Sequence, residues 1–227
     1  TANMSKKSTP KIKELAKPTP STTIEFEPDM SLFHGIDSLD EVQDVLCKRV
    51  LDVAGTCAGL NVTLNNEKLP IKGFRQYCTY FAKSMGITTP VSYIRTNARW
   101  EIAICASPKG EAKDVSFVNH ISTDDGGTHA RSVRLAVESE LLERMEKKFK
   151  TSIPLSKVRN NLLIFVSAMV ENPSFGSQTK VKLTTQSSKF GMRHGLLSKH
   201  FNKLFRESTI MDIIETRAKG GLAGKAP

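Results

Sequence analysis

Cysteine is scarce in this chain of 227 residues. The four cysteines, Cys47, Cys57, Cys78 and Cys105, stand far apart and form no C-x-x-C pair. A zinc site or a disulfide framework would need closer grouping, so neither is predicted. We expect reduced cysteines that pack as small hydrophobic side chains, and no metal site.

Long hydrophobic runs are missing as well. No apolar stretch approaches the roughly 20 residues of a membrane helix, and no charged and then apolar signal segment opens the chain. Hydrophobic residues still make up 39% of the chain, which is enough to fill a core. The composition therefore predicts a globular protein without a membrane partner.

Acidic residues are outnumbered, with 23 Asp and Glu against 33 Lys and Arg, and the formal net charge is +10. Such an excess favours a polyanionic partner such as nucleic acid, but a generic solvated surface has the same composition. Aromatic residues make up only 7% of the chain and do not alternate with the basic ones. This pattern argues against a module that stacks single-stranded RNA bases.

Periodicity predicts the elements of the first ninety residues. Thr23–Glu27 alternates like a short strand, and Ser38–Glu41 forms a capping box that predicts the start of a helix. This helix should end at Gly55, and a hairpin over residues 62–71 and a helix over Phe74–Lys83 should follow. The apolar stripe predicted for the first helix consists of Leu39, Val42, Leu46, Val50 and Val53.

Two alternating segments, Trp100–Cys105 and Val115–Ile121, predict neighbouring antiparallel strands joined at Pro108–Gly110. Apolar residues spaced by four predict a helix over Thr128–Lys148, and a shorter helix is expected over Leu155–Asn160.

Leu162–Val170 is apolar at almost every position, which is typical of an interior strand covered on both faces. A last helix is predicted over Leu197–Arg217, followed by a tail of small residues, 218–227. The chain starts at Thr1 without an initiator methionine. We expect a piece of a longer protein.

The segment Asn172–Lys180 reads NPSFGSQTK and directly follows the predicted buried strand. Loops at the end of a rigid sheet are common sites of ligand contact, and a lysine there can place its ammonium on a phosphate. An ordinary solvated lysine remains the alternative.

The segment Asp124–His129 reads DDGGTH and precedes a predicted helix. Its glycines permit a tight turn whose amides could hold an anion. However, no lysine follows, and two aspartates would repel phosphate. A turn with a helix start is therefore favoured, with His129 as a local hydrogen-bonding residue.

Basic residues cluster where one predicted helix ends and the next begins. They are Lys147, Lys148, Lys150, Lys157 and Arg159. Cations are favoured at a helix C-terminus by the macrodipole, so this cluster alone does not require a ligand.

Residues 116–129 and NPSFGSQTK, in this order, closely resemble the transducer domain of eukaryotic type IIA DNA topoisomerases. Leu69–Arg75 resembles the end of the nucleotide-binding domain that precedes it, and Ile24–Asp29 resembles an earlier strand of that domain. The resemblance covers about residues 1 to 217.

This resemblance implies an α+β fold in three parts. Residues 1–90 correspond to the C-terminal portion of a GHKL ATP-binding domain, 91–217 to the transducer, and 218–227 to a flexible tail toward the DNA-cleavage core. The transducer should have a ribosomal protein S5 domain 2-like fold, in which the βαβ crossover is left-handed.

The resemblance also implies a function. Gln178, Thr179 and Lys180 should contact the terminal phosphate of ATP, with Lys180 as its sensor. ATP and Mg²⁺ belong to the full-length enzyme, and the fragment alone should bind neither and should not hydrolyse ATP. One departure is Val181, where the family usually has an acidic residue.

Further implications concern partners. The full-length enzyme should be a nuclear homodimer that couples ATP binding and N-gate closure to passage of double-stranded DNA. The chain should contact an upstream ATP-binding portion and a downstream cleavage core, and the basic cluster should face DNA. The alternative is a basic αβ nucleic-acid-binding module of ribosomal-protein type without ATP coupling.

Overall fold

The computed structural model describes residues 5–14, 16–17, 20–32, 34–35, 38–107 and 110–223. Its helices are α1 (Leu39–Thr56), α2 (Phe74–Ser84), α3 (Thr128–Phe149), α4 (Leu155–Arg159), α5 (Ser198–Ser208) and α6 (Ile210–Ala223). Its strands are β1 (Thr63–Leu64), β2 (Glu67–Lys68), β3 (Ser92–Asn97), β4 (Trp100–Ala106), β5 (Lys113–Val118), β6 (Ile121–Ser122) and β7 (Leu162–Ala168). Two short 3₁₀ turns cover Met30–Leu32 and Ser187–Lys189.

The chain divides into two compact units, residues 1–47 and 48–227. The first unit contains the turn Met30–Leu32, where the backbone amide and the hydroxyl of Ser31 both donate to Asp29 Oδ1, at 3.1 and 2.6 Å. The second unit contains a five-stranded sheet in the order β3-β4-β7-β5-β6. The predicted domain boundary near residue 90 stays a prediction.

Side chains alternate across the five-stranded sheet, so its strands contribute to two cores. Trp100, Ile102 and Ile104 of β4 pack in a cluster that includes residues of α3, α5 and α6. Ala103 and Cys105 belong to the cluster that includes α2 and the end of α1. All seven residues of β7 are buried, which confirms the predicted interior strand.

Several local predictions are confirmed. Helix α2 covers the predicted segment, and α3 buries the residues that the spacing of four selected: Val133, Val137, Leu141 and Met145. The predicted hairpin forms between β1 and β2. Asn65 and Asn66 both have positive φ, 51° and 66°, as a tight two-residue hairpin turn requires.

The predicted pairing of Trp100–Cys105 with Val115–Ile121 is wrong. Strand β7 lies between β4 and β5, antiparallel to the first and parallel to the second. The reason is that β7 is apolar on both faces, whereas β5 begins at the exposed Lys113. Pro108 and Lys109 of the predicted connection lie outside the described residues.

The second of those predicted strands is also shorter than expected. Asn119 and His120 have φ of 49° and 69° and form a turn that ends β5 and leads into β6. The edge strand β3, paired antiparallel with β4, was not predicted. Strands β5 and β7 are connected through α3 and α4, and the left-handed course of this connection stays a prediction.

Two predictions for the N-terminal part are wrong. Residues 23–27 form no strand and are exposed, because no ladder partner for them exists among the described residues. Helix α1 starts after Ser38 as predicted, but Leu39, Leu46 and Val53 of the predicted stripe are exposed. The buried residues of α1 lie in its last turns: Asp52, Ala54, Gly55 and Thr56.

Gly55 does not end α1, which continues to Thr56. A Cβ atom at residue 55 would lie 2.5 Å from Cγ of Tyr77. Glycine is therefore required here for the close approach of α1 and α2.

The predicted last helix is divided into α5 and α6. Thr209 separates them and has a left-handed φ of 52°. Phe201, Leu204, Phe205 and Ile214 of these two helices are buried, and Met211 is partly buried against the same core. Helix α6 continues past residue 217 to Ala223, and residues 224–227 of the predicted tail lie outside the described residues.

Candidate functional site

The segment after β7 is an ordered hairpin-like loop. Gly176 N donates to Lys182 O at 3.0 Å, and Thr184 N donates to Ser174 O at 2.9 Å. Phe175 and Leu183 form an isolated antiparallel bridge. These contacts leave Ser177–Val181 as the tip, and this tip carries Gln178, Thr179 and Lys180.

A second segment holds the returning arm of this loop from its other side. Asp125 N donates to Val181 O at 3.0 Å, Leu183 N donates to Gly126 O at 3.1 Å, and Thr128 N donates to Leu183 O at 3.2 Å. We call residues 125–128 with 181–185 the clasp. It brings together the two motifs of the sequence, DDGGTH and the residues that follow NPSFGSQTK.

Gly127 is the residue that makes the clasp possible. Its φ is 139°, a conformation that residues with a Cβ rarely adopt. A Cβ would lie 2.5 Å from the carbonyl oxygen and 2.6 Å from the amide nitrogen of Leu183. These neighbours are backbone atoms, so they cannot move aside without breaking the clasp.

The tip has its own internal contacts. Lys180 has a φ of 59°, and its amide donates to Ser177 O at 3.1 Å. The hydroxyls of Ser177 and Thr179 lie 2.8 Å apart. A left-handed lysine costs about 1 kcal/mol or more, and it persists because the surrounding contacts determine the turn.

The Lys180 ammonium is exposed and available to an anion. Its Nζ lies 6.0 Å from the ring centroid of Phe175, within the range of a cation–π contact. No carboxylate among the described residues lies within 4.0 Å of it. Gln178 and Thr179 are exposed beside it.

The segment DDGGTH forms a turn and the start of α3, as predicted. The Thr128 amide at the start of α3 is used by Leu183, and the Thr128 hydroxyl donates to Thr185 O at 2.6 Å. His129 is buried, with Nε2 at 3.3 Å from Thr123 Oγ1 and no partner for Nδ1 among the described residues. Burial lowers the pKa of His129 to about 4, so its ring is neutral at physiological pH.

The basic cluster divides into paired and unpaired cations. Lys147 Nζ lies 2.5 Å from Glu143, and Lys148 Nζ lies 2.7 Å from Glu215. Arg159 donates twice, at 3.0 Å, to the buried Glu138. Lys150 and Lys157 have no carboxylate within 4.0 Å among the described residues. These two lysines are therefore the members of the cluster most available to phosphate.

Residues 73–220 match the model of a known protein family, DNA gyrase B. The chain belongs to the DNA gyrase B family. The matched range includes both segments of the clasp and the whole five-stranded sheet. The family resemblance drawn from NPSFGSQTK and residues 116–129, to type IIA topoisomerases, is confirmed.

Curated relatives of this DNA gyrase B family member are topoisomerases. DNA topoisomerase 2-beta of Gallus gallus is 38% identical over 206 residues, and DNA topoisomerase 2 of Saccharomyces cerevisiae is 34% identical over 221 residues. These matches cover 88% and 90% of this chain but only 12% and 15% of the relatives. The chain therefore spans a small part of the length of the curated relatives that it matches.

Solved structures confirm the predicted fold class. The ATPase and transducer domains of DNA topoisomerase II from Balamuthia mandrillaris give a TM-score of 0.73 at 32% identity, over 86% of this chain and 49% of that one. The ATPase region of Saccharomyces cerevisiae topoisomerase II gives 0.70 at 34% identity, over 82% and 48%. None of these relatives is a ribosomal protein.

The structure of this DNA gyrase B family member also contains a polar cluster that the sequence analysis missed. It consists of Lys48, the buried Asp52, Tyr77, Ser122 and Asp124. The signal in the sequence was Asp52, a charged residue that stands between Leu51 and Val53 in the predicted first helix. The sequence analysis considered only the apolar stripe of this helix and did not ask what Asp52 contacts. Its partners lie far away in sequence, so spacing alone could not identify them.

No group of three or more His, Cys, Asp or Glu side chains among the described residues is arranged to hold a metal ion. None of the helices in this described part of the chain combines the length and the apolar character that crossing a membrane requires.

Proposed function

We propose that this chain is part of an ATP-dependent type IIA DNA topoisomerase, in which Gln178, Thr179 and Lys180 contact the terminal phosphate of ATP. The supporting observation is the exposed Lys180 ammonium on a tip that the clasp holds in place. Ammonium, amide and hydroxyl groups all donate hydrogen bonds to phosphate oxygens. The donors of the tip therefore fit a phosphate group.

The role of Lys180 is electrostatic. ATP with Mg²⁺ supplies the transferable phosphoryl group when bound, and we assign both to the upstream ATP-binding portion of the whole enzyme. Lys180 opposes the negative charge on the phosphate oxygens, and a contact of this kind contributes about 1.5 to 3 kcal/mol. Among the described residues we assign to this chain only the sensor of the terminal phosphate, and we expect the chain alone to be inactive in ATP hydrolysis.

The contacts of the clasp also support a coupling role. The clasp lies at the N-terminus of α3, and the C-terminal end of α3 contacts α6 through Lys148 and Glu215, at 2.7 Å. Arg217 of α6 donates to Ser107 O at 3.0 Å, at the end of β4. We propose that the state of the nucleotide passes along this route to the downstream cleavage core, and so to DNA passage.

Exposed apolar side chains on α1 support a contact with the upstream ATP-binding portion. Leu39, Leu46 and Val53 are 61%, 48% and 39% exposed. A helix normally buries such a stripe against a neighbour. The whole enzyme that we propose is a nuclear homodimer that binds double-stranded DNA, in keeping with the topoisomerase 2 relatives.

Steady-state ATP hydrolysis tests the proposed function. The protein is the chain with its upstream portion restored, measured with and without duplex DNA, and the variant is Lys180→Ala. We expect turnover to fall roughly 10- to 100-fold, since the transition state is then stabilised by one charge-assisted hydrogen bond fewer. Lys182→Ala is the matched control, because it removes a neighbouring exposed lysine without changing the tip.

Two outcomes contradict the proposal. One is unchanged turnover in the Lys180→Ala variant, which makes Lys180 an ordinary surface lysine. The other is ATP hydrolysis by the isolated chain at a rate that Lys180→Ala removes, which places the whole catalytic site within these residues.

Binding of duplex DNA by the isolated chain tests the basic cluster. We expect Lys150→Ala with Lys157→Ala to reduce the log–log salt slope of the binding constant by about 0.9 for each phosphate that the protein no longer neutralises. The control, Lys147→Ala, should change the slope less, because Glu143 already pairs with Lys147. Equal slopes for all variants would remove this cluster from the DNA interface.

A further inference from the structure

A single ammonium joins helix α1 to the turn that leads into the clasp. Lys48 Nζ lies 2.7 Å from Asp52 Oδ2 on its own helix. The same atom lies 3.2 Å from Ser122 Oγ and 3.7 Å from Asp124 Oδ1. Lys48 therefore connects α1 to residues that lie more than seventy positions further along the chain.

The helix side of this connection is buried and hydrogen-bonded. Asp52 is 2% exposed, and the Tyr77 hydroxyl donates to its Oδ1 at 2.8 Å. The Tyr77 ring packs edge-on against Phe117 of β5, with centroids 5.5 Å apart. Burial, with the charge of Asp52, raises the pKa of Tyr77, so its hydroxyl keeps its proton and continues to donate. One oxygen of Asp52 is thus held by Tyr77, and the other accepts from Lys48.

The turn side of the connection leads directly to the clasp. Ser122 Oγ donates to Asp124 Oδ1 at 2.6 Å, so Lys48 contacts two groups that already contact each other. The next residue, Asp125, donates its amide to Val181 O. Val181 follows Lys180 directly in the chain. A displacement of the Lys48 ammonium is therefore passed through Asp124 and Asp125 to Val181, at the end of the tip.

We infer that Lys48 is a positioning residue for the phosphate sensor: it fixes the turn at Ser122 and Asp124 to α1, and thereby fixes where Lys180 stands. This inference rests on the proposed function. Lys48 touches no reacting atom, and its task is to keep the tip in register with the helices that precede the sheet. Lys48 contacts Asp52 on α1 and the Ser122–Asp124 pair in the turn. A movement of α1 is therefore passed to the turn, and a movement of the turn is passed to α1.

Arg49 provides a matched control on the same helix. Its Nη1 lies 3.9 Å from Asp52 Oδ2, and its side chain is 44% exposed, as is that of Lys48. Arg49 makes no described contact with Ser122 or Asp124. A purely structural role in neutralising Asp52 would be shared by both residues, whereas the positioning role belongs to Lys48 alone.

The test uses the protein with its upstream portion restored. Lys48→Met should lower kcat for ATP roughly 2- to 30-fold, the usual range for a coupling residue, with little change in KM. Lys48→Arg should recover most of the turnover, and Arg49→Met should leave it unchanged. Adding Lys48→Met to Lys180→Ala should cause little further loss, since both act through one contact.

A second variant tests the same inference in case the Lys48→Met variant does not fold. Asp124→Asn weakens the other end of the connection at a side chain that is 54% exposed, and it should lower kcat in the same direction. The inference is overturned if Lys48→Met leaves kcat unchanged, if Arg49→Met lowers it equally, or if losses with Lys180→Ala are fully additive. Turnover that is insensitive to Lys180→Ala removes the proposed function and this inference together, whereas sensitivity to Lys180→Ala alone removes only the inference.

Discussion

Gly127→Ala is expected to lower the free energy of unfolding by about 3 to 5 kcal/mol and to release the tip that carries Lys180. Two costs combine: a Cβ in a left-handed conformation, and its overlap with the backbone of Leu183 at 2.5 and 2.6 Å. The overlap involves backbone atoms on the returning arm of the loop. Relief therefore requires the hydrogen bonds of the clasp to separate.

Gly126→Ala is the matched control for this prediction. Gly126 also has a positive φ, 67°, but the nearest atom to an added Cβ is Ala130 Cβ at 4.0 Å. We expect a loss of about 1 kcal/mol, from the backbone conformation alone. Urea denaturation of both variants measures the difference. Equal losses would mean that the close approach to Leu183 has no energetic weight.

Arg134→Met is expected to lower the free energy of unfolding by about 3 kcal/mol. Arg134 on α3 donates to both carboxylate oxygens of Asp114 on β5, at 3.0 and 2.9 Å, and to Glu138 at 3.2 Å. Glu138 is 1% exposed, and Arg159 is then its only remaining cation among the described residues. Removing one member of a buried ionic network leaves charge without compensation, which is the costly case.

Lys147→Met is the control for Arg134→Met. Lys147 forms an ion pair with Glu143 on the same helix, but both side chains are largely exposed, 75% and 60%. Pairs of this type contribute little, so no change in the denaturation midpoint is expected. An Arg134→Met midpoint equal to that of Lys147→Met would contradict a structural role for the network that joins α3, α4 and β5.

Local signals predicted most of the elements. The spacing of Val133, Val137, Leu141 and Met145 identified α3, and the unbroken apolar sequence of β7 identified its interior position. The order of the strands could not be predicted in the same way. It depends on β7 entering between β4 and β5, and nothing in the sequence of either neighbour specifies a partner more than forty residues away.

At single positions, too, the sequence pattern does not reveal the role of a residue, as Gly55 and Thr209 show. Gly55 resembles a helix stop, but it serves the packing of Tyr77 within the helix. Thr209 resembles an ordinary helical residue, but its φ of 52° separates α5 from α6. The close approach of Gly55 and Tyr77 is a tertiary contact, and periodicity contains neither this contact nor the positive φ of Thr209.

The candidate site was predicted in part. NPSFGSQTK identified the loop and its lysine, and the exposed tip agrees with this expectation. The partner of the loop was not predicted, because Asp125 and Val181 meet only through backbone hydrogen bonds, which carry no signal in the side chains. Lys48 was not predicted for a related reason. The role that we infer for it depends on its contacts with the turn at Ser122 and Asp124, which lies far from Lys48 in the sequence.

The most direct test of the central claim compares two nucleotides in the protein with its upstream portion restored. Equilibrium affinities for a non-hydrolysable ATP analogue and for ADP are measured with and without Lys180→Ala. If Lys180 contacts the terminal phosphate, the variant binds the analogue more weakly while its affinity for ADP is unchanged, and this loss of affinity is smaller than the fall in turnover because the contact is strongest in the transition state. An equal effect on both nucleotides, or no effect on either, would contradict the account.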